Sequence, residues 1–97
     1  MFDIRINENG EVALTGRFDA SKVENARTIF DQIEKSSVVD FKALEYISSA
    51  GLSVLLATQK RLSESGDRLK LKNMNKHIRD VFRYAGFDTV FEIEQSA

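Results

Sequence analysis

The 97-residue sequence predicts an α/β domain built on one mixed β-sheet, with an N-terminal hairpin followed by β-α-β-α-β-α-β and helices packed mainly on one face. Three observations predict it. Two period-two apolar stretches open the chain and are separated by a glycine-containing turn. Three period-3.6 segments follow, each ending before a short apolar run. Strands that alternate with helices require crossover connections, and hence parallel pairing, after the opening hairpin.

The first stretch, FDIRI, puts Phe2, Ile4 and Ile6 on one side and Asp3 and Arg5 on the other. NENG then supplies a turn in which Gly10 takes positive φ. EVALTGRF alternates again, with Val12, Leu14 and Gly16 facing the core. In FDASKVENARTIFDQIEK the period changes: Ser21 and Glu24 fit a capping box, and Val23, Ala26, Phe30 and Ile33 form the apolar stripe of a helix of about three to four turns. SSVVDF returns to strand character, and Leu44, Tyr46 and Ile47 are expected in a loop that tucks back into the core. SSAGLSVLLATQKRLSESG reads as a second helix with Leu52, Leu55, Leu56, Gln59 and Leu62 inward and Gly66 as its stop. DRLKLKN alternates leucine with basic residues, as a half-exposed strand does. NKHIRDVFRYAGF predicts a third helix with Asn75 as N-cap, Ile78, Val81, Phe82 and Ala85 on its inner face and Gly86 at its end; TVFEIE closes the fold as a strand.

Composition excludes several function classes. The balance of 42% hydrophobic and 30% charged residues is that of a folded globular chain. A net charge of −1 offers no cationic footprint for nucleic acid. With no cysteine there is no disulfide, thiolate nucleophile or thiolate metal site. The single histidine, His77, would have to serve any Ser-His-Asp triad or zinc site, and its neighbours Lys76 and Arg79 supply neither a nucleophile nor ligands. No phosphate-cradling glycine loop is present, so no cofactor is expected. The N-terminus does not read as a signal peptide, and no apolar run approaches the ~20 residues that span a bilayer. An enzymatic reading would require a pocket lined by Asp19, Asp40 and His77.

The stretch YISSAGLSVLL carries the candidate site. Serine caps helix N-termini, and either Ser48 or Ser49 can fill that role, with Gly51 permitting close packing in the first turn. The same position suits a phosphorylated serine, because a helix N-terminus partly compensates the phosphate while the fold stays intact.

The element order together with VVDFKALEYISSAGLSVLL, TGRFDAS and SGDRLKLKNMNKHIRDVFRYAGFDTVFEI resembles the STAS domain, the sulfate-transporter and anti-sigma-factor-antagonist family, across nearly the whole chain. The resemblance implies one STAS-like domain over residues 1–97. Single-domain members show D-S-[ST]-G-[LM] before the second helix. Laid on this chain, Ser48 takes the place of the acid, Ser49 that of the phosphoacceptor, Ala50 the third position and Gly51 the glycine, with Leu52 completing the pattern. The family's early acid corresponds to Asp19, and Ser53 lies on the exposed side of the following helix. The resemblance thus implies a cytoplasmic bacterial partner-switching regulator without catalytic residues. Phosphorylation falls on Ser49, and partner contacts on Asp19, Ser48, Ser49, Ala50, Gly51 and Ser53. The implied partners are an anti-sigma factor that is also a serine kinase of the histidine-kinase-like ATPase fold, and a metal-dependent serine phosphatase. Nucleic acid and direct membrane insertion are not implied. The alternative within the family is a non-phosphorylated adaptor subunit, for example of a lipid-transport ATPase.

Overall fold

A computed structural model describes residues 1–94. Five strands form one sheet in sequence order: β1 (Phe2–Ile6), β2 (Val12–Phe18), β3 (Ser37–Ile47), β4 (Leu69–Lys72) and β5 (Glu92–Ile93). β1 runs antiparallel to β2 and every other pair is parallel. The crossovers contain α1 (Val23–Phe30), α2 (Ser49–Ser63) and α3 (Lys76–Tyr84). Each crossover advances the sheet in the same direction, so right-handed connections bring all three helices to the same face. That face carries Ile4, Leu14, Val39 and Leu71, which are buried together with Phe30, Leu55 and Phe82 from the helices. The opposite face is polar. There Lys72 reaches Glu11 at 2.9 Å, and Lys70 lies 3.8 Å from Glu92 and 3.5 Å from Glu94.

The predicted hairpin forms, with Gly10 at φ 77° and the Asn7 side chain accepting from the backbone N–H groups of Asn9 and Glu11. Gly16 has φ 85°, and a Cβ there would collide with the Met1 carbonyl, the group that accepts from Arg17 N at 2.7 Å. The fold therefore requires glycine at this point of β2, where the ladder to β3 also shifts register.

Five expectations need correction. The closing strand is shorter than TVFEIE suggested: Thr89 lies in a 3-10 turn over Phe87–Thr89, and β5 covers only Glu92–Ile93. The Ser21–Glu24 capping box does not form. Asp19 is the cap instead, accepting from Ser21 N at 3.0 Å and Ser21 Oγ at 2.6 Å, and it starts a 3-10 turn over Ala20–Lys22 that leads into α1. Glu24 sits 3.7 Å from Arg27 instead. The first helix is also shorter than its apolar stripe suggested, at eight residues. Arg61 of α2 donates to the carbonyls of Phe30 at 3.0 Å and Ile33 at 2.8 Å, so a tertiary donor satisfies carbonyls that helix continuation would otherwise serve. Leu44, Tyr46 and Ile47 do not lie in a loop, because β3 runs for 11 residues through Ile47. Two register shifts against β2 break its alternation, so Val39, Phe41, Leu44 and Ile47 all face inward despite their uneven spacing. Asp40 stabilises the first shift by accepting from Lys42 N at 2.9 Å. Finally, Ala85 is exposed at the end of α3, while Ile78 and Phe82 are buried as expected.

The α3 core is aromatic: Phe82 meets Phe41 at 5.9 Å and Phe91 at 5.6 Å, both edge-on. Asn75 caps α3 by accepting from Ile78 N at 2.8 Å, and Gly86 ends it at φ 76°. Leu69 and Leu71 are fully buried.

Two predictions follow from the sheet. Gly16→Ala should cost about 2 kcal/mol or more in denaturant unfolding, through backbone strain and loss of the close Met1 approach. The Glu11–Lys72 pair should give stability a pH signature. The Lys72 ammonium, then the Asn7 amide, hold the Glu11 carboxyl below its ordinary 4.5, and Glu11 holds Lys72 above its ordinary 10.5. The stabilisation is present between these values. It fades as pH falls through the lowered carboxyl pKa, and again as pH rises through the raised ammonium pKa. Glu11→Gln should therefore unfold more easily than the parent at neutral pH, with the difference closing in acid below 4.5 and in strong alkali.

Candidate functional site

The candidate loop lies where β2 and β3 end side by side. Phe18 and Ile47 are the last paired residues of these strands. One residue on, the Ser48 N–H donates to the Phe18 carbonyl at 2.9 Å, extending the ladder into the loop. The chain then turns into α2, and on the neighbouring strand Asp19 leaves β2 at the same level. The 3-10 turn after Asp19 packs against α2. Sheet geometry thus brings Asp19 and the Ser48–Gly51 loop to one edge.

Ser48 is the N-cap. Its backbone is extended, with φ −89° and ψ 169°, and its hydroxyl oxygen accepts from Gly51 N at 3.2 Å. Its carbonyl accepts from Leu52 N at 2.9 Å, closing the first helical turn. The side chain is half-buried. Ser49 is the first helical residue and is exposed, and among the described residues its hydroxyl has no hydrogen-bond partner. The ambiguity over which serine caps is thereby resolved: one is committed to the backbone and the other is free.

Gly51 is buried against the end of β2. A Cβ there would stand 3.0 Å from Ile47 Cγ1 and 3.1 Å from both Phe18 Cγ and the Phe18 carbonyl oxygen. Glycine lets the first turn of α2 sit on the Phe18 ring, which itself stacks on Phe2 at 4.8 Å. Ala50 is half-buried. Ser53 is exposed one turn along, its hydroxyl donating to the Ser49 carbonyl at 3.0 Å.

Asp19 carries the nearby negative charge. Hydrogen bonding from the Ser21 hydroxyl is the main influence holding its carboxyl below the usual value of 3.8, with Ser21 N–H, Lys22 and Arg17 acting in the same direction against partial burial. It is ionised at neutral pH. Sequence reasoning missed two neighbours, Phe18 and Arg17. Phe18 supplies both the anchoring carbonyl and the floor under Gly51, and its signal was the continued alternation Val12, Leu14, Gly16, Phe18. Arg17 lies over the Tyr46 ring at 4.4 Å, a cross-strand pair on the open face that is visible only once β3 is known to extend this far.

Asp19, Asp40 and His77 have separate surroundings. Asp19 caps the 3-10 turn, Asp40 is bound to Lys42 N and, at 3.0 Å, to Asn73 Nδ2, and His77 is exposed on α3. Among the described residues no cluster of three or more His, Cys, Asp or Glu could hold a metal, and no helix is long and apolar enough to cross a membrane.

A family model described as "Mlab, STAS domain" matches residues 3–93. BtrV of Bordetella bronchiseptica, named as an anti-sigma factor antagonist, is 39% identical over 66 residues, which are 68% of this chain and 57% of BtrV. The anti-sigma-B factor antagonist of Bacillus subtilis is 25% identical over 95 residues, 94% of this chain and 87% of that protein. Among solved structures, the Bacillus antagonist SpoIIAA superposes with a TM-score of 0.71 in its unphosphorylated form, at 18% identity over 100% of this chain and 90% of that one. The phosphorylated form gives 0.69, at 19% identity over 99% and 93%. The chain belongs to the STAS domain family.

The division of labour between the two serines is measurable as stability. Ser48→Ala removes a helix cap and should cost about 1 kcal/mol in denaturant unfolding. Ser49→Ala removes an exposed hydroxyl without a partner and should stay within about 0.5 kcal/mol of the parent.

Proposed function

We propose that this protein is a phosphorylation-controlled partner switch of the anti-sigma factor antagonist type, with Ser49 as the phosphoacceptor. Unphosphorylated, it binds an anti-sigma factor and frees a sigma factor. The anti-sigma factor is also a serine kinase of the histidine-kinase-like ATPase fold and brings its own ATP. Ser49 Oγ attacks the γ-phosphorus, the bond to the β-phosphate oxygen breaks, ADP leaves, and the hydroxyl proton passes to a base on the kinase. A metal-dependent serine phosphatase returns the hydroxyl by hydrolysis. All of this is placed in the cytoplasm of a bacterium.

The observation that carries this reading is the free, exposed Ser49 hydroxyl at the first position of α2, beside a serine whose hydroxyl oxygen is already engaged. A phosphate there adds about −1.5 to −2 charges at a helix end whose dipole and unbonded N–H groups accommodate an anion. The packing of Gly51 on Phe18 lies beneath and need not move. The new charge instead faces the partner, which must desolvate it next to the ionised Asp19. Binding weakens while the fold persists. The partner surface on this reading comprises Asp19, Ser48, Ser49, Ala50, Gly51 and Ser53.

A second reading has its own observation. Ser48 stands where the family pattern carries an acid, so the loop lacks a charge next to the acceptor serine. A constitutive adaptor, such as a subunit of a lipid-transport ATPase, would use the same surface without phosphate.

Capture from the protein's own cells separates the two. Immobilised Ser49→Ala protein should retain a serine kinase, and Ser49→Asp should retain it about tenfold less or worse, because an uncompensated charge is trapped in the contact. Equal capture of one partner by both variants contradicts the switch. A membrane ATPase among the equally captured proteins would favour the adaptor.

A further inference from the structure

β1 is an edge strand, and among the described residues nothing pairs with its outer side. Its hydrogen-bonding phase follows from the bonds that flank it. Arg17 N donates to the Met1 carbonyl and Asn7 N to the Glu11 carbonyl. With the register Asp3↔Thr15 and Arg5↔Ala13, the odd-numbered residues direct their backbone groups toward β2. Phe2, Ile4 and Ile6 therefore present their N–H and C=O groups to the open edge. Their side chains belong to the helix-covered face, where Ile6 remains 52% exposed. Asp3 and Arg5 stand on the polar face opposite Thr15 and Ala13, and neither has an ion-pair partner among the described residues.

We infer that this edge is a self-association surface that pairs antiparallel with β1 of a second copy about a twofold axis at Ile4. In that register Ile4 faces Ile4 and Phe2 faces Ile6, as hydrogen-bonded pairs that use all the outward backbone groups of the three residues. Asp3 of one copy falls opposite Arg5 of the other, twice, at the non-hydrogen-bonded positions where side chains approach most closely. The exposed Ile6 meets Phe2 of the second copy, continuing the buried face across the junction. The two sheets become one.

The charges also select this register. Sliding the strands so that the axis falls at Asp3 sets the two Asp3 carboxylates opposite each other, and an axis at Arg5 does the same with the two guanidinium groups. Parallel in-register pairing aligns both like pairs. Only the Ile4-centred arrangement satisfies the outward backbone phase and joins opposite charges, whereas edge charges ordinarily oppose pairing. A five-residue strand makes a small contact, so the dimer is weak and concentration-dependent. The α2 N-terminus lies beyond β2 from this edge, which leaves Ser49 open in the dimer. The inference does not depend on the proposed function.

Sedimentation equilibrium on the full chain tests it, with circular dichroism confirming that each variant is folded. The parent should show a monomer–dimer equilibrium. Arg5→Asp makes the strand wholly anionic and Asp3→Arg makes it wholly cationic, and each should weaken self-association about tenfold or more. The double exchange Asp3→Arg/Arg5→Asp should restore it, and mixing the two single variants should give a heterodimer. A parent that remains monomeric at about 1 mM overturns the inference. So does a dimer indifferent to Arg5→Asp, or a mixture of single variants that associates no better than either alone.

Discussion

The candidate site depends on the contact between the end of β2 and the start of α2. The Phe18 carbonyl takes the Ser48 N–H, and the Phe18 ring lies beneath Gly51 so closely that a Cβ there would press on it at 3.1 Å. This contact sets where the helix begins. It also sets which serine caps and which is presented, because Ser48 must stay extended to complete the ladder while its hydroxyl reaches back to Gly51 N. Ser49 is then the first residue off the sheet. The exposure of the Ser49 hydroxyl is thus a consequence of strand pairing and sterics as much as of local sequence.

Around that contact the two faces of the sheet divide the work. The inner face supplies stability through the apolar cluster and the edge-on aromatic contacts of Phe41, Phe82 and Phe91. The outer face holds its charges in ladders such as Lys70 with Glu92 and Glu94. A phosphate on Ser49 would sit at the rim, clear of both. Electrostatic change there can alter binding without loosening the core, which is the physical requirement for a switch that survives repeated cycles.

The element order was legible because the opening hairpin and the three helices carry clear apolar periods, and the cap at Asn75 and the turn at Gly10 follow local chemistry alone. Failures arose where a competing local cap, a distant donor or a bulge decides the outcome. Asp19 outcompetes Ser21 for the first cap by binding both Ser21 donors. Arg61, 28 residues beyond Ile33, takes over the carbonyls at the end of α1. The bulges of β3 scramble its alternation, so Leu44 and Ile47 do not read as strand. At the site, the resemblance to the STAS family marked the Ser48–Gly51 loop and Asp19, and the structure brings them to one edge. The sequence could not show that Ser48 is half-buried and bonded while Ser49 has no hydrogen-bond partner among the described residues, nor that the Phe18 carbonyl and ring anchor this turn.

On the proposed function, Ser49 and not Ser48 carries the chemistry of this loop. Peptide-resolved mass spectrometry on the protein isolated from its own cells tests it most directly. Phosphate should be found on Ser49 in a fraction of molecules that changes with growth condition. Phosphate on Ser48, or none under any condition, would contradict it.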